Sequence, residues 1–371
     1  MIKYTTELIQ KLQKETEVIR GYHTDVLLKK SPTESRPGYL DPYEKACLNI
    51  NWVAEDEKGK REEKEQLSPE ARLQQIRDRM GFPNYNLNTE ELITKYEELK
   101  LGENQVGLWR YYKRKSEQKK RPCLVYIHGG GFIGGTVYCV ENPCRLIAQL
   151  ADAIVFNIDY SLAPEKPFPH GLNDNYNAIR HIYENADYYG IDRNKIAVAG
   201  DSAGGNYSAA IALKARDEKL PMLAAQILIY PAVVMGSEAA KGYAFREDEF
   251  LLSEEEGPII APMLMLGRPG DIAKDPMIGS YLPDVREVRN PYVSPMLAES
   301  HAGLPKALVA VAEFDGLRLQ GEFYAGMLLK AGVETRVLRY AGVTHAFIDR
   351  LGHVPQAEDL CIEIAKLLKE L

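Results

Sequence analysis

The chain has 371 residues, of which 45% are hydrophobic and 27% are charged, so it is long enough to bury a sizeable core and is not disordered. Its net charge of -7 argues against a nucleic-acid partner, for which a basic surface would be needed. The five cysteines are scattered and lack the spacing of a disulfide framework or a zinc site, which favours a reducing compartment.

The N-terminal part of the sequence is charged and shows helical patterns. Residues 1–20 contain charges throughout and no long apolar run, which excludes a secretory signal, and no stretch reaches the roughly 18 apolar residues of a membrane span. We therefore expect a cytoplasmic protein without a membrane partner. Ser68 before Pro69 predicts the start of a helix over ARLQQIRDRM, and Asn88 or Thr89 predicts a second helix over EELITKYEEL.

From about residue 105 onwards, short apolar runs alternate with helical patterns. Six runs are apolar on both faces and are predicted strands: LVYIH, AIVFNID, KIAVAG, AQILIYP, ALVAVAEFD and TRVLRY. Helical patterns such as SAGGNYSAAIALKARDE and GEFYAGMLLKAG separate them. This alternation predicts a mostly parallel sheet with helices on both faces, whose functional residues lie at the carboxyl ends of the strands.

The strand KIAVA runs directly into GDSAGG, where Gly200, Ser202 and Gly204 form a Gly-x-Ser-x-Gly sequence followed by a helical pattern. In a nucleophile elbow, the turn between strand and helix is so tight that small residues must flank the serine, whose hydroxyl then projects above the sheet. The alternative is an ordinary strand-to-helix turn. We favour the elbow because the required strand and helix both flank the motif.

A serine nucleophile needs a base to take its proton, and the base needs an acid that orients it. Three histidines follow Ser202 in the sequence: His301, His345 and His353. Only His345 follows a predicted strand closely, so it is the candidate base, and the other two are predicted to be surface residues. Asp315 ends the strand ALVAVAEFD and is the candidate acid, because Glu313 lies on the same face but does not reach the loop.

The segment HGGGFIGG at residues 128–135 follows the strand LVYIH. Glycines allow two successive amides to point into a site, and acyl transfer builds negative charge on a carbonyl oxygen that such amides stabilise. We expect the amides of Gly130 and Gly131 to face that of Ala203, the first residue of the helix after the elbow. His128 is expected to pin the loop through backbone hydrogen bonds. A phosphate-binding loop is the alternative, but the segment lacks GxGxxG spacing and a GK[ST] ending.

Five segments, in this order, resemble the hormone-sensitive lipase family of α/β-hydrolases. They are HGGGF at 128–132, DYSLAPEKPFP at 159–169, GDSAGGN at 200–206, AEFDGLR at 312–318 and THAF at 344–347. The resemblance implies the α/β-hydrolase fold, with a mostly parallel central sheet, helices on both faces and a mainly helical cap. It also implies a triad of Ser202, Asp315 and His345, and an oxyanion hole formed by the amides of Gly130, Gly131 and Ala203.

The chain departs from the family pattern around the acid and the base. Gly316 stands where a proline is usual, and Ala346 stands where a glycine is usual. Leu319 and Gln320 occupy positions that are usually acidic. None of these changes removes a triad member, so they imply altered support of the site rather than a different reaction.

By resemblance, residues 1–104 form an N-terminal cap, residues 105–371 form the catalytic domain, and residues 236–290 form a second cap segment. Five apolar side chains are candidates to bind the substrate: Phe132, Phe245, Phe250, Met263 and Met265. Family members often dimerise through an edge strand and the C-terminal region, which suggests a homodimer here through ETRVLRY and the last helix.

Together these features predict a serine carboxylesterase that hydrolyses short-chain acyl esters through an acyl-enzyme intermediate. The expected partner is a small-molecule ester substrate, and no metal or organic cofactor is required. An amidase or N-deacylase would use the same residues and stays open as an alternative. A non-catalytic ligand-binding protein on the same fold is less favoured, because such relatives have lost the histidine that is present here as His345.

Overall fold

The computed structural model describes residues 4–51, 68–101, 104–117, 119–236, 241–268 and 276–371. These residues form a ten-stranded sheet in the order β1-β2-β10-β9-β8-β7-β5-β6-β4-β3. The strands are β1 (Thr16–Arg20), β2 (Asp25–Lys29), β3 (Leu92–Leu101), β4 (Asn104–Lys113), β5 (Arg121–Ile127), β6 (Ile154–Asp159), β7 (Ile191–Asp201), β8 (Ala225–Ile229), β9 (Lys306–Phe314) and β10 (Thr335–Thr344). From β2 to β6 in this order the neighbours run parallel, whereas β1, β4 and β3 lie antiparallel to their neighbours.

Helices cover both faces of the sheet. They are α1 (Thr6–Lys14), α2 (Pro42–Asn51), α3 (Pro69–Asp78), α4 (Glu141–Ala151), α5 (His170–Glu184), α6 (Ala186–Tyr189), α7 (Ala203–Asp217), α8 (Gly257–Ile260), α9 (Pro276–Tyr281), α10 (Arg318–Lys330) and α11 (Pro355–Glu370). On one face α4 and α11 bury Leu124 and Tyr126 of β5, and on the other α5 and α7 bury Val125 and Ile127. Both faces of β5 are thus apolar because both are covered. No helix in the described ranges is long and apolar enough to cross a membrane.

The six predicted strands are confirmed as β5 to β10, and the predicted helices after the elbow and before TRVLRY are confirmed as α7 and α10. The predicted helix over ARLQQIRDRM is also confirmed, as α3. Its cap is Ser68, whose side chain accepts a hydrogen bond from the Ala71 N–H at 3.2 Å.

The predicted helix over EELITKYEEL is wrong, because Leu92–Leu101 form β3. This strand pairs antiparallel with β4 over its whole length, and the Tyr96 ring contacts that of Trp109 with 5.0 Å between centroids. The N–H of Thr89 donates to Gln149 Oε1 at 2.8 Å instead of opening a helix. Cross-strand pairing therefore overrides the local helical pattern.

Three strands from the predicted cap of residues 1–104 extend the sheet instead of covering it. β1 and β2 form a hairpin that pairs with β10 through Leu27, Leu28 and Lys29, and β3 forms the opposite edge. Because β10 is an interior strand, the predicted dimer contact through a free edge of ETRVLRY is wrong. The rest of the division into cap and catalytic domain stays a prediction.

Lys29 ties the N-terminal hairpin to the last helix. Its side chain is buried, and Nζ lies 3.1 Å from Asp359 Oδ2 and 2.9 Å from Glu363 Oε1. Breaking a buried ion pair by removing one partner leaves the other charge uncompensated and costs about 3–5 kcal/mol. The hairpin is therefore fixed on α11 as well as on the sheet.

The predicted second cap segment lies between β8 and β9. Its described residues form short helical turns, which include α8, a 3-10 turn at Ala261–Met265 and α9, and contain no strand. This segment interrupts the alternation of strands and helices, and Leu266, Gly267 and Met277 from it line the same cavity as Ser202, which follows the carboxyl end of β7.

Candidate active site

Ser202 lies on the turn between β7 and α7. Its backbone has φ 54° and ψ -115°, a conformation that L residues rarely adopt, and its N–H donates to Ile229 O at 2.9 Å. The flanking glycines are required, because a Cβ at Gly204 would lie 1.9 Å from Ile127 O and one at Gly200 would lie 2.3 Å from the Gly204 backbone. This is the geometry of a nucleophile elbow.

The structure brings Ser202, His345 and Asp315 together. His345 Nε2 lies 3.0 Å from Ser202 Oγ, and its Nδ1 lies 2.7 Å from Asp315 Oδ2. Because a carboxylate only accepts hydrogen bonds, Nδ1 carries the ring proton and Nε2 is free to accept from the serine hydroxyl. Asp315 is fully buried, and its Oδ1 accepts from the Leu317 N–H at 2.9 Å. Each group is thus oriented by the next, as nucleophilic catalysis requires.

The other two candidate histidines lie elsewhere, and the prediction that they are surface residues is wrong. His301 and His353 are 4% and 9% exposed. Nε2 of His301 donates to Pro295 O at 3.0 Å, and Nε2 of His353 donates to Pro83 O at 2.8 Å. Both rings therefore hold loops in place.

The loop that carries His345 is supported by residues distant in sequence. Arg350 donates to His345 O at 3.2 Å and to Glu44 Oε1 at 2.7 Å, and Glu44 also accepts from the Thr344 N–H at 3.0 Å. Burial raises the pKa of Glu44, and the charge of Arg350 opposes that shift. Ala346 has φ 62°, in the left-handed region that favours glycine, so the departure at this position costs conformational energy.

The oxyanion loop, residues 128–135, presents backbone N–H groups to the site. Gly130 has φ 125° and Gly131 has φ 60°, and a Cβ at Gly130 would lie 2.1 Å from Gly134 O. Within the described residues, the N–H groups of Gly130, Gly131 and Ala203 have no acceptor. All three residues line the same cavity as Ser202, so their amides are available to a substrate oxygen.

His128 and Asp201 hold the oxyanion loop from the sheet side. His128 Nδ1 donates to Gly129 O at 2.8 Å, and its ring stacks on Tyr160 with 4.4 Å between centroids. Burial lowers the pKa of His128 to about 4, so the ring is neutral. Asp201 Oδ1 accepts from the Gly129 N–H at 3.0 Å and from the Tyr126 hydroxyl at 3.1 Å, while burial raises the pKa of Asp201 to about 6.

A cavity of about 560 Å³ opens beside the triad. Phe132 lies in its wall, and the other apolar residues there include Ile76, Met80, Phe82, Met277, Ile278 and Leu317. Where the chain is described, no cluster of His, Cys, Asp or Glu side chains could hold a metal ion. The site can therefore receive a small, largely apolar molecule next to Ser202.

Four predicted substrate-binding residues lie outside the wall of this cavity: Phe245, Phe250, Met263 and Met265. The guanidinium carbon of Arg318 lies 4.3 Å from the centroid of the buried Phe250 ring, and the Phe245 ring is 6.0 Å from that of Phe250. Met265 is 55% exposed. This part of the predicted pocket is corrected to Met277, Ile278 and Leu317, which the structure turns towards the cavity instead.

The first covering segment, residues 69–82, is anchored by Arg77 of α3. Arg77 Nε donates to Ile133 O at 2.6 Å, and Nη2 donates to Ala163 O at 2.9 Å. The same guanidinium pairs with Glu165 Oε2 at 2.6 Å. One side chain of this covering segment thus joins the oxyanion loop to the segment DYSLAPE.

The second covering segment, residues 257–268 and 276–281, touches the oxyanion loop. A Cβ at Gly131 would lie 2.7 Å from Met277 Sδ. The rings of Phe132 and Tyr281 stack with 3.9 Å between centroids. This segment therefore packs directly on Gly131 and Phe132 of the loop.

The second covering segment also crosses the loop that carries Asp315. A Cβ at Gly316 would lie 1.6 Å from Leu266 O, and a Cβ at Gly267, where φ is 84°, would lie 2.8 Å from Gly316 O. The two backbones meet without room for a side chain. Gly316 is therefore required by the covering segment, which explains the departure from the usual proline.

The chain is similar to known esterases in sequence. The sequence pattern of the alpha/beta hydrolase fold family matches residues 124–349. An arylesterase of Saccharolobus solfataricus is 35% identical over 72% of this chain and 84% of its own length. Carboxylesterase NlhH of Mycobacterium tuberculosis is 36% identical over 64% of this chain and 70% of its own length.

Solved structures show the same similarity. One described as the structure of an arylesterase has a TM-score of 0.70 at 30% identity and covers 89% of this chain and 99% of its own. A hyperthermophilic esterase from the archaeon Pyrobaculum calidifontis has a TM-score of 0.66 at 30% identity and covers 90% of this chain and 98% of its own. The match extends beyond the sheet to most of both chains.

Proposed function

The chain belongs to the alpha/beta hydrolase fold family, and from this premise we propose that it is a serine carboxylesterase acting on short-chain acyl esters. The observation that carries the proposal is the chain of hydrogen bonds from Asp315 through His345 to Ser202, at 2.7 and 3.0 Å. The similarity to an arylesterase and to carboxylesterases supports ester substrates. A cavity of about 560 Å³ suits a small ester.

Acylation begins when Ser202 Oγ attacks the ester carbonyl carbon and His345 Nε2 takes the hydroxyl proton. Asp315 keeps the imidazole oriented and stabilises the imidazolium that forms. The negative charge on the carbonyl oxygen is bound by three backbone amides, those of Gly130, Gly131 and Ala203. His345 then gives the proton to the leaving alcohol oxygen as the C–O bond breaks, which leaves the acyl group on Ser202.

Deacylation repeats these steps with water as the nucleophile. His345 takes a proton from the water, whose oxygen attacks the acyl carbon, and the same amides bind the oxyanion. When the bond to Ser202 Oγ breaks, His345 returns the proton to the serine. The products are a carboxylic acid and an alcohol, and the enzyme is restored.

Hydrolysis of p-nitrophenyl esters of increasing acyl length tests the proposal. We expect wild type to be most active on short chains, and Ser202→Ala to lower kcat by about 10⁴-fold or more. Ser300→Ala, in an exposed loop, is the matched control and should keep full activity. Hydrolysis that survives in Ser202→Ala would contradict the assignment of the nucleophile. Cleavage of anilides but not of esters would favour an amidase or N-deacylase.

We further propose that the protein works in the cytoplasm, since none of the five cysteines, all of which lie in the described ranges, forms a disulfide, as is usual in a reducing compartment. A homodimer would have to use a surface other than β10, which is an interior strand. Light scattering during size-exclusion chromatography measures this: a mass close to 41.7 kDa would contradict the dimer.

A further inference from the structure

Gln320, in the first turn of α10, lies in the wall of the cavity although it is only 1% exposed. Its side-chain oxygen Oε1 accepts hydrogen bonds from the N–H of Val233 at 2.7 Å and from that of Val234 at 3.0 Å. Two hydrogen bonds to rigid backbone therefore fix the position of the side-chain amide.

These two hydrogen bonds also identify which terminal atom of the Gln320 side-chain amide is the oxygen and which is the nitrogen. A backbone N–H can only donate, so the atom that faces Val233 and Val234 must be the oxygen, and the other atom of Gln320 must be the nitrogen Nε2. Within the described ranges, Nε2 has no acceptor, and it is not among the fully enclosed polar atoms that lack a partner. We infer that its N–H groups face the cavity.

The position of this donor relates it to the reacting atoms. The N–H of Ala232, next to Val233 in the chain, donates to Ser202 O at 3.3 Å. Leu317, three residues before Gln320, lines the same cavity and donates its N–H to Asp315. Gln320 is thus held between the nucleophile loop and the acid loop, and it lines the same cavity as Ser202.

The surroundings of Gln320 make an unused donor there costly. The neighbouring wall residues are apolar and include Val234, Met235, Leu266 and Leu317. A buried donor that loses its hydrogen bond to water and gains no other is penalised, so it favours any ligand that offers an acceptor.

We propose that Gln320 Nε2 donates a hydrogen bond to an uncharged oxygen of the substrate, so that the protein prefers esters bearing a ketone or ether oxygen a few bonds from the scissile ester. This inference rests on the proposed esterase function and names its substrate class. Selection arises because an alkyl ester leaves the donor without a partner, whereas the oxygenated ester satisfies it.

Two pairs of esters of equal size test the inference, one on each side of the scissile bond. The acyl pair is p-nitrophenyl pentanoate and p-nitrophenyl 4-oxopentanoate, and the alcohol pair is butyl acetate and 2-methoxyethyl acetate. The measured quantity is kcat/KM of the oxygenated ester divided by that of the alkyl ester. This ratio is then divided by the corresponding ratio of hydroxide-catalysed rates, which removes the difference in intrinsic reactivity. We expect wild type to favour the oxygenated ester about 3- to 10-fold in one pair, the range for one hydrogen bond.

Gln320→Glu, assayed at pH 9 so that the carboxyl is ionised, is the decisive variant because the carboxylate preserves the shape and the acceptor for Val233 and Val234 but replaces the donor with an acceptor oxygen. The preference should fall to one or below. Gln105→Glu, the same substitution at an exposed side chain outside the cavity, should keep the wild-type ratio. A corrected ratio of about one in both pairs for wild type overturns the inference without any variant. An unchanged preference in Gln320→Glu overturns it as well. In either case, hydrolysis of pentanoate and butyl acetate leaves the esterase proposal standing.

Discussion

The strand-end loops and the covering segments form opposite sides of one cavity, and they are built differently. The loops that carry Ser202, Asp315 and His345 follow strands directly and are held mainly by backbone hydrogen bonds at the strand ends, to which Glu44 adds a distant contact at the loop of His345. The covering segments reach the same loops through single side chains, such as Arg77 and Tyr281, and through one glycine crossing. The chemistry therefore resides in rigid local structure, and the shape of the pocket depends on long-range packing.

Asp315→Asn tests the strand-end loops and has the largest expected effect. We expect kcat to fall by about 10⁴-fold, because an amide no longer holds the Nδ1–H tautomer of His345. Stability should change little, since the asparagine oxygen can still accept from the Leu317 N–H. The measurements are steady-state kinetics and thermal unfolding. Glu313→Gln, two residues earlier, is the control, and a loss of similar size there would remove the distinction between the two carboxylates.

The neutral His128 makes the oxyanion loop sensitive to acid. Its pKa is about 4 in the folded protein, because burial disfavours the cation, and about 6.5 when unfolded. The unfolded chain therefore binds more protons in this window, so stability is fully present above the unfolded pKa and is lost as pH falls towards 4.

Relative to His128→Asn, whose amide can donate to Gly129 O in the same way, we expect wild type to lose about 3 kcal/mol of unfolding free energy between about pH 7.5 and pH 4. The difference between the two proteins cancels the opposite contribution of Asp201, whose folded pKa is raised. Urea unfolding at several pH values measures it. Parallel stability profiles for the two proteins would contradict the neutral, buried imidazole.

Gly316→Ala tests the crossing of the Asp315 loop with the second covering segment. The new Cβ would meet Leu266 O at 1.6 Å, so the covering segment or the acid loop must move, and overpacking of this kind costs about 1–3 kcal/mol. We expect lower thermal stability together with a lower kcat, since Leu317 and Asp315 move with the loop. Gly279→Ala is the control because a Cβ there meets nothing within 4 Å. Equal effects in the two variants would contradict a specific crossing.

Ala346→Gly has the smallest expected effect and the opposite sign. The left-handed backbone at φ 62° is strained for alanine, so glycine should stabilise the protein by about 0.5–1 kcal/mol after its greater freedom in the unfolded state is deducted. Denaturant unfolding measures the gain. Ala302→Gly, in a loop of ordinary φ, should be neutral or destabilising, and a similar gain there would point to a cause other than local strain.

The strand-end loops could be predicted well from the sequence, because the patterns that indicate them are local. The apolar runs of β5 to β10 determine where the strands end, and Ser202, Asp315 and His345 are identified by their distance from those ends. The support of the base loop could not be predicted in this way, because Glu44 meets Thr344 and Arg350 across about 300 residues of chain.

The N-terminal region and the covering segments were predicted poorly for the same reason. Nothing within EELITKYEEL indicates that Leu92–Leu101 will pair with β4, and the helical pattern is a weak preference that a paired neighbour overrides. Likewise, the apolar residues between β8 and β9 could be identified, but their orientation depends on Arg318 and Gly316. Phe250 therefore faces the core, while Met277 faces the cavity.

The ion pair between Lys29 and Glu363 has a consequence for synthesis, because its partners are 334 residues apart. At about 5–20 residues per second, a ribosome needs roughly 15 to 70 s to make the stretch between them. For that interval the nascent β1-β2 hairpin has neither β10 to pair with nor α11 to neutralise its lysine. The strands β1 and β2 are therefore made first but join the sheet among the last. Until then, the nascent chain must avoid pairing them with other strands.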